Sequence, residues 1–197
     1  MDFLVNWLSA IPVFSVPLIL ASLGLIINER AGVLNLGAEG IMICGALAGV
    51  AFYLVLGQSI ILGLLGSFLM GALISTLFAI LVVIFRTNQV VTGITFVFLG
   101  SGLTGLLGPP YTDKAVKGIN GIYIPLLSDL PFFGRVLFSH DPMVYLTLLM
   151  VFLLTFFLYR TRLGLELRAV GENPQAADAG GINVIVIRFF AVIFGGA

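Results

Sequence analysis

The stretch Ile60-Ile61-Leu62-Gly63-Leu64-Leu65-Gly66-Ser67-Phe68-Leu69-Met70-Gly71-Ala72-Leu73-Ile74-Ser75-Thr76-Leu77-Phe78-Ala79-Ile80-Leu81-Val82-Val83-Ile84-Phe85 carries no charge. A helix needs roughly 20 mostly apolar residues to cross the hydrocarbon of a bilayer, and this run exceeds that length. It is apolar all round, without the period-2 alternation of a barrel strand or the single apolar stripe of a surface helix. Polar signals bound it: the tight Gly57-Gln58 turn before it and Arg86-Thr87-Asn88-Gln89 after it. Working outward, Gly40–Leu56 reads as the span before it and Val90–Leu107 as the span after it. A first span covers about Val13–Ile27, where Pro12 and Pro17 predict an early kink or a late start, and the span is short. Met143–Tyr159 supplies a fifth span, and Ile182–Ala197 begins a sixth that stops at Gly195-Gly196-Ala197. The expected fold class is an all-α polytopic membrane protein with about six transmembrane helices in one domain, residues 1–197.

Composition agrees. Sixty per cent of the residues are hydrophobic and 9% charged, and the mean hydropathy is +1.19, too little polar surface to clothe a water-soluble globule. The N-terminal segment lacks a basic region before its apolar stretch, so Met1–Asn28 reads as a retained span and not a cleaved signal. A net charge of zero argues against a nucleic-acid partner. The single cysteine, Cys44, lies in an apolar run and reads as a small buried hydrophobe. No Gly-x-x-x-x-Gly-Lys-Ser/Thr phosphate loop is present, one histidine and one cysteine make no metal site of usual spacing, and hydrolase motifs are missing. An enzyme and a cofactor held by this chain are therefore not expected. Arg30, Arg86, Arg160, Arg162, Arg168 and Arg188 fall at one set of span ends, against Lys114, Lys117 and Arg135 at the other. The positive-inside rule then puts the N-terminus outside and residues 160–181 in the cytoplasm.

Between the fifth and sixth spans, Arg160-Thr161-Arg162-Leu163-Gly164 leads to Glu172-Asn173-Pro174-Gln175-Ala176-Ala177-Asp178-Ala179-Gly180-Gly181. Asn173 can cap a helix, Pro174 suits its first position, and Gly180 or Gly181 can end it after about two turns. So short a helix is marginal alone and must be held by the flanking spans. Near the first span, Asn28 to Gly40 mixes Asn28, Glu29, Arg30 and Asn35 with Val33, Leu34 and Leu36, a pattern expected of a break that partly re-enters the membrane. Within it Asn35, Gly37, Glu39 and Gly40 are candidate pathway residues, Glu39 staying near the interface because a charge at the bilayer centre is costly. Small residues recur at packing distance in Gly45-x-x-x-Gly49, Ser67-x-x-x-Gly71 and Ser101-x-x-x-Gly105, and Gly93, Gly100, Gly102 and Gly105 allow close packing or a bend. Gly108 to Asp141 reads as an external loop with short interfacial elements. His140, Asp141 and Pro142 open the fifth span, with Asp141 as cap, and Trp7 is an interfacial anchor.

The segment Glu29-Arg30-Ala31-Gly32-Val33-Leu34-Asn35-Leu36-Gly37-Ala38-Glu39-Gly40 resembles the signature of permeases in bacterial nucleoside and simple-sugar ABC importers. Thr161-Arg162-Leu163-Gly164, followed by Ala169-Val170-Gly171-Glu172-Asn173-Pro174, Ala176-Ala177 and Gly181-Ile182-Asn183, is similar to the ATPase-coupling loop of the same family. Ribose-type and branched-chain amino-acid permeases share the broader fold and parts of the second motif. The resemblance implies a permease domain in the bacterial cytoplasmic membrane, working by alternating access, with ATP bound by separate ATPase subunits. It implies a second permease subunit and an extracytoplasmic substrate-binding lipoprotein meeting residues 108–141. Residues 160–183 become the cytoplasmic coupling loop, with Gly171, Glu172, Asn173, Pro174, Ala176, Ala177 and Gly180 as its ATPase-facing set. Such permeases continue for several spans beyond this loop, so the chain reads as truncated relative to the family pattern. A charge-poor path suits a neutral substrate, which needs hydrogen bonds and no counter-ion. Two rivals are an ion-coupled secondary transporter, which calls for intramembrane acids the sequence scarcely has, and a structural membrane subunit, for which the packing motifs suffice.

Overall fold

The computed structural model describes residues 2–116, 118, 119, 121 and 140–197. Among them the chain forms helices α1 (Asp2–Arg30), α2 (Ala38–Val55), α3 (Ile60–Ala79, continued by a π-helical turn Ile80–Ile84), α4 (Gln89–Leu107) and the one-turn α5 (Pro109–Thr112). After the described residues resume come α6 (Pro142–Arg160), α7 (Arg162–Glu172), α8 (Pro174–Ala179) and α9 (Val184–Gly196). Five stretches are long and apolar enough to cross a membrane: Trp7–Arg30, Ala38–Val55, Ile60–Ile84, Gln89–Leu107 and Pro142–Arg160; α9 is apolar but shorter. Most of the external loop expected between Gly108 and Asp141 lies outside the described residues.

The first span departs from expectation. Pro12 and Pro17 lie inside one continuous helix that starts ahead of both, so neither proline delays or breaks it. The turn after α2 is as read: Gly57 and Gln58 both take positive φ, 93° and 59°, a left-handed pair that reverses the chain. The long apolar run changes character near its end, where Phe85 N–H donates to Ile80 O at 3.0 Å, five residues back, the extra residue of a π-turn. Arg86 follows at φ 54°, and the turn closes through Thr87, whose hydroxyl donates to Leu81 O at 3.0 Å and pairs with Thr92 Oγ1 at 2.9 Å. Asn88 Oδ1 then caps α4, accepting from Val90 and Val91 N–H. At α6, Pro142 holds the first turn, but the Asp141 side chain makes no capping bond; the helix opens on the Asp141 carbonyl, which accepts from Val144 N–H at 3.0 Å.

Helices pack through small residues, since lipid supplies no hydrophobic drive between them. On the α2–α3 seam a Cβ at Gly49 would strike Ser67 Oγ, and one at Gly63 would lie 3.1 Å from Gly49 O. On the α2–α4 seam a Cβ at Gly100 would lie 2.6 Å from Gly40 Cα. Gly105, by contrast, meets nothing within 4 Å among the described residues, so of the three small-residue motifs the glycine of the Ser101–Gly105 pair makes no packing contact there. The closing Gly195 and Gly196 are contact residues: a Cβ at Gly195 would strike Asn28 Oδ1, and one at Gly196 would strike Ser75 Oγ. Two buried clusters result. Val33, Ile41, Cys44, Ile74, Phe78, Phe96 and Val192 build one, with Phe78 and Phe96 edge-to-face at 5.4 Å; Ala31, Leu158, Leu167 and Ala191 build the other. Cys44 is buried as expected and its Sγ lies 3.9 Å from Gly100 O. Hydroxyls within the spans bond back along their own helices, Ser15 to Ile11 O, Ser22 to Leu18 O, Thr76 to Ala72 O, Thr95 to Val91 O, Thr147 to Met143 O and Thr155 to Val151 O.

Gly100→Val in the full-length protein is expected to cost about 1–3 kcal/mol by overpacking, read as a lower melting temperature in detergent, whereas Gly105→Ala leaves it unchanged. Equal melting of the two variants would contradict the close α2–α4 seam.

Candidate functional site

Two segments singled out in the sequence meet in space. The first, residues 31–37, is non-helical backbone joining α1 to α2. Its burial alternates: Ala31, Val33, Asn35 and Gly37 point inward, while Leu34 and Leu36 are exposed. Buried backbone outside a helix must find partners for its polar groups. Ala31 N–H and Val33 N–H donate to Asn28 O at 3.1 and 3.0 Å, and Gly32 N–H to Glu29 O at 2.9 Å. Leu34 N–H donates to Gln89 Oε1 at 2.8 Å, and Gly37 N–H to Asn35 Oδ1 at 3.1 Å. Gly32 takes φ +77°, a left-handed position that favours glycine.

Gly37 and Gly40 press on α4: a Cβ at Gly37 would lie 3.0 Å from Phe96 Cβ, and one at Gly40 would strike Phe96 O. From the other side, a Cβ at Gly93 would lie 2.8 Å from Leu36 Cβ and 3.0 Å from Gly37 N. Three of the four candidate pathway residues, Asn35, Gly37 and Gly40, are buried, Gly37 and Gly40 against α4, while Glu39 is exposed on the first turn of α2.

The second segment is the α7–α8 hairpin. Thr161 directs the chain out of α6: its hydroxyl donates to Phe157 O at 2.6 Å and accepts from Gly164 N–H at 3.1 Å, capping α7. Gly164 is bare because a Cβ would strike Phe157 O, which lets α7 fold back on the end of α6. Arg168 stacks its guanidinium over the Tyr159 ring at 4.9 Å, a cation–π contact that ties the two helices. The short α8 forms as its start and stop signals require: Asn173 Oδ1 accepts from Ala176 N–H at 3.0 Å, Pro174 holds the first turn, and Gly180 N–H donates back to Ala176 O at 3.0 Å. Gly181 follows at φ +84°.

Of the residues expected to face a partner, Glu172, Asn173, Ala176 and Gly180 are exposed, whereas Ala177 is buried at 5% exposure. Ala177 N–H donates to Asn173 O and its carbonyl accepts from Ile182 N–H, both at 3.0 Å, so Ala177 anchors α8 to its own hairpin. Gly171, at the end of α7, is where the two segments touch: a Cβ there would strike Arg30 O and lie 3.2 Å from Gly32 N. Two contributors escaped the sequence reading. Arg188, counted there only as an orientation charge, donates from Nε to Ala31 O at 3.0 Å, and its signal was a lone cation inside an apolar helix. Gln89, read as a boundary residue, holds Leu34.

Among the described residues no cluster of three or more His, Cys, Asp or Glu side chains could hold a metal ion. A cavity of about 590 Å³ opens between the Arg86–Gln89 turn and α8, lined also by Val33, Asp178 and Arg188.

The family described as branched-chain amino acid transport system / permease component matches residues 7–197. The chain belongs to this permease family. The permease is 40% identical over 200 residues to the putative glucose ABC transporter permease protein TsgC13 of Haloferax volcanii, covering 100% of this chain and 60% of the relative. It is 38% identical to the guanosine ABC transporter permease protein NupQ of Bacillus subtilis over 93% of this chain and 61% of the relative. The nucleoside ABC transporter permease protein NupC of Lactococcus lactis is 36% identical over 93% of this chain and 61% of its own length. The permease thus spans about three-fifths of the length of these relatives. No solved structure matches it. Family and apolar helices together make it a multi-pass membrane protein.

Asn173→Ala removes the acceptor for Ala176 N–H and is expected to cost about 1 kcal/mol of helix stability. Amide exchange at Ala176 and Ala177 should then quicken about fivefold, with Asn173→Asp close to wild type; unchanged exchange in the alanine variant would deny the cap its role.

Proposed function

We propose that this chain is the membrane-crossing part of an ABC importer permease that passes a nucleoside or simple sugar through the cytoplasmic membrane by alternating access. The reading rests chiefly on one observation: the segment similar to a coupling loop holds an exposed, capped short helix, and Gly171, at the end of the helix before it, lies directly against the segment similar to the permease signature. The names of the relatives, for glucose, guanosine and nucleosides, support a neutral substrate rich in hydrogen-bonding groups.

In this reading the N-terminus is outside and residues 160–183 are cytoplasmic. A separate ATPase binds and hydrolyses ATP and receives α8 in a groove, meeting Glu172, Asn173, Ala176 and Gly180, while Ala177 acts from within by holding the helix in place. Residues 35–40 and the first two spans line the path, and residues 108–141 meet a substrate-binding lipoprotein. A second permease subunit completes the path. Asn35 and the backbone of residues 35–37 are the buried polar groups of that segment, and the close approach of Gly37 to Phe96 makes them sensitive to any movement of α4.

The test is co-purification of the full-length permease with its ATPase from nanodiscs. Glu172→Arg combined with Ala176→Trp places a reversed charge and a bulky ring on the exposed face of the hairpin. Insertion should be normal and ATPase association lost, and an Ala176→Cys cross-link, with Cys44→Ser, should reach the ATPase in the otherwise unaltered permease. Normal association of the double variant would sink this assignment.

A further inference from the structure

We infer that Arg188 and Gly171 together form the linkage through which movement of the α7–α8 hairpin displaces the turn at residues 31–34, an inference that rests on the coupling role proposed above. Three observations converge on this turn. Arg188, one turn into α9, crosses to donate from Nε to Ala31 O at 3.0 Å. An ideal Cβ on Gly32 would lie 3.0 Å from the terminal guanidinium nitrogen of Arg188 and 3.3 Å from Gly171 Cα, so the turn is gripped between the two. Gly171 is the last residue but one of α7, two residues ahead of the Asn173 cap of α8, and has no side chain to cushion its contact with Arg30 O.

Helix α8 is therefore flanked in sequence by two links to the turn, one before it and one after it. Gly171 presses on it where the hairpin approaches α8, and Arg188 holds it where the chain leaves α8 and enters α9. On its far side the turn is tied to α4, through Leu34 N–H on Gln89 Oε1 at 2.8 Å, and residues 37–40 lie against Phe96. A push on α8 thus has a continuous path of close contacts to the backbone at residues 31–40 and on to α4. Arg188 is a positioning residue here: it acts through the Ala31 carbonyl. The guanidinium suits the task because its donors are fixed in one plane, so the bond constrains direction as well as distance.

The experiment uses the full-length permease assembled with its ATPase and binding protein in proteoliposomes, comparing wild type, Arg188→Gln and Arg188→Lys. Losing a charge-assisted hydrogen bond should lower substrate moved per ATP hydrolysed about tenfold or more in Arg188→Gln, with ATPase association and hydrolysis retained and part of the ratio restored in Arg188→Lys. An unchanged ratio in Arg188→Gln overturns the linkage and leaves the proposed function standing; a wild-type permease that binds no ATPase removes both. Should Arg188→Gln fail to assemble, spin labels at Leu34 and Ala176 in a Cys44→Ser background decide the matter in otherwise native protein. The linkage requires their separation to stay constant between nucleotide-free and ATP-bound states, and a separation that changes between them overturns it.

Discussion

The backbone of residues 31–40 lies where it does because glycines, its own and those facing it, remove side chains at the closest approaches. Gly93 and Gly100 on α4, Gly171 on α7, and Gly32, Gly37 and Gly40 within the segment itself bring main chain against main chain. In water a groove of this kind would be closed by the hydrophobic effect; in lipid the gain comes from dispersion contacts and from bonds to otherwise unsatisfied backbone groups. That is why the segment reaches outside itself for Gln89 and Arg188, and why the contact with α7 occurs at a glycine. The rest of the architecture follows from keeping these approaches short.

Helix α9 decides how the two halves of the bundle relate. Val192 belongs to the cluster shared with α2, α3 and α4, and its neighbour Ala191 to the cluster shared with α1, α6 and α7. One helix is thus wedged between both groups, with Gly195 and Gly196 letting it approach Gly24 and Asn28 on α1 and Gly71 and Ser75 on α3. Because α9 directly follows the hairpin, the chain leaving α8 is anchored in both clusters within one helix. The side chains of Asn28 and Ser75 are fully buried there without hydrogen-bond partners among the described residues, a polar spot in an otherwise apolar junction. A spot of this kind makes the wedge a costly place for bulk or charge.

Much of this was legible in the residues. Uninterrupted apolar runs gave the second to fifth spans to within a few positions, though the first helix begins well ahead of Val13 and the sixth run forms only the shorter α9; the Asn173-Pro174 and Gly180-Gly181 signals gave α8 because capping chemistry is local. The prolines of α1 misled: a helix in lipid tolerates Pro12 and Pro17 where a soluble helix would be expected to yield. The π-turn at Ile80–Ile84 left no mark, since its residues are as apolar as those before them. Burial of Ala177 was not legible either, because on a helix of six residues the face that turns inward is fixed by the partners of its hairpin and not by any periodic pattern. The link from Arg188 to Ala31 spans 157 positions, and no local rule joins residues so far apart.

The hydroxyls that bond back along their own helices bear on how the molecule is made. Ser15, Ser22, Thr76, Thr95, Thr147 and Thr155 each satisfy their donor on the preceding turn. Each of these spans can therefore leave the aqueous phase with those groups already quenched, before any neighbour is present. Biogenesis thus meets two kinds of bond: these hydroxyls need no neighbouring helix, whereas the bonds from Gln89 and Arg188 to the turn between α1 and α2 require the helices that carry them to be in place.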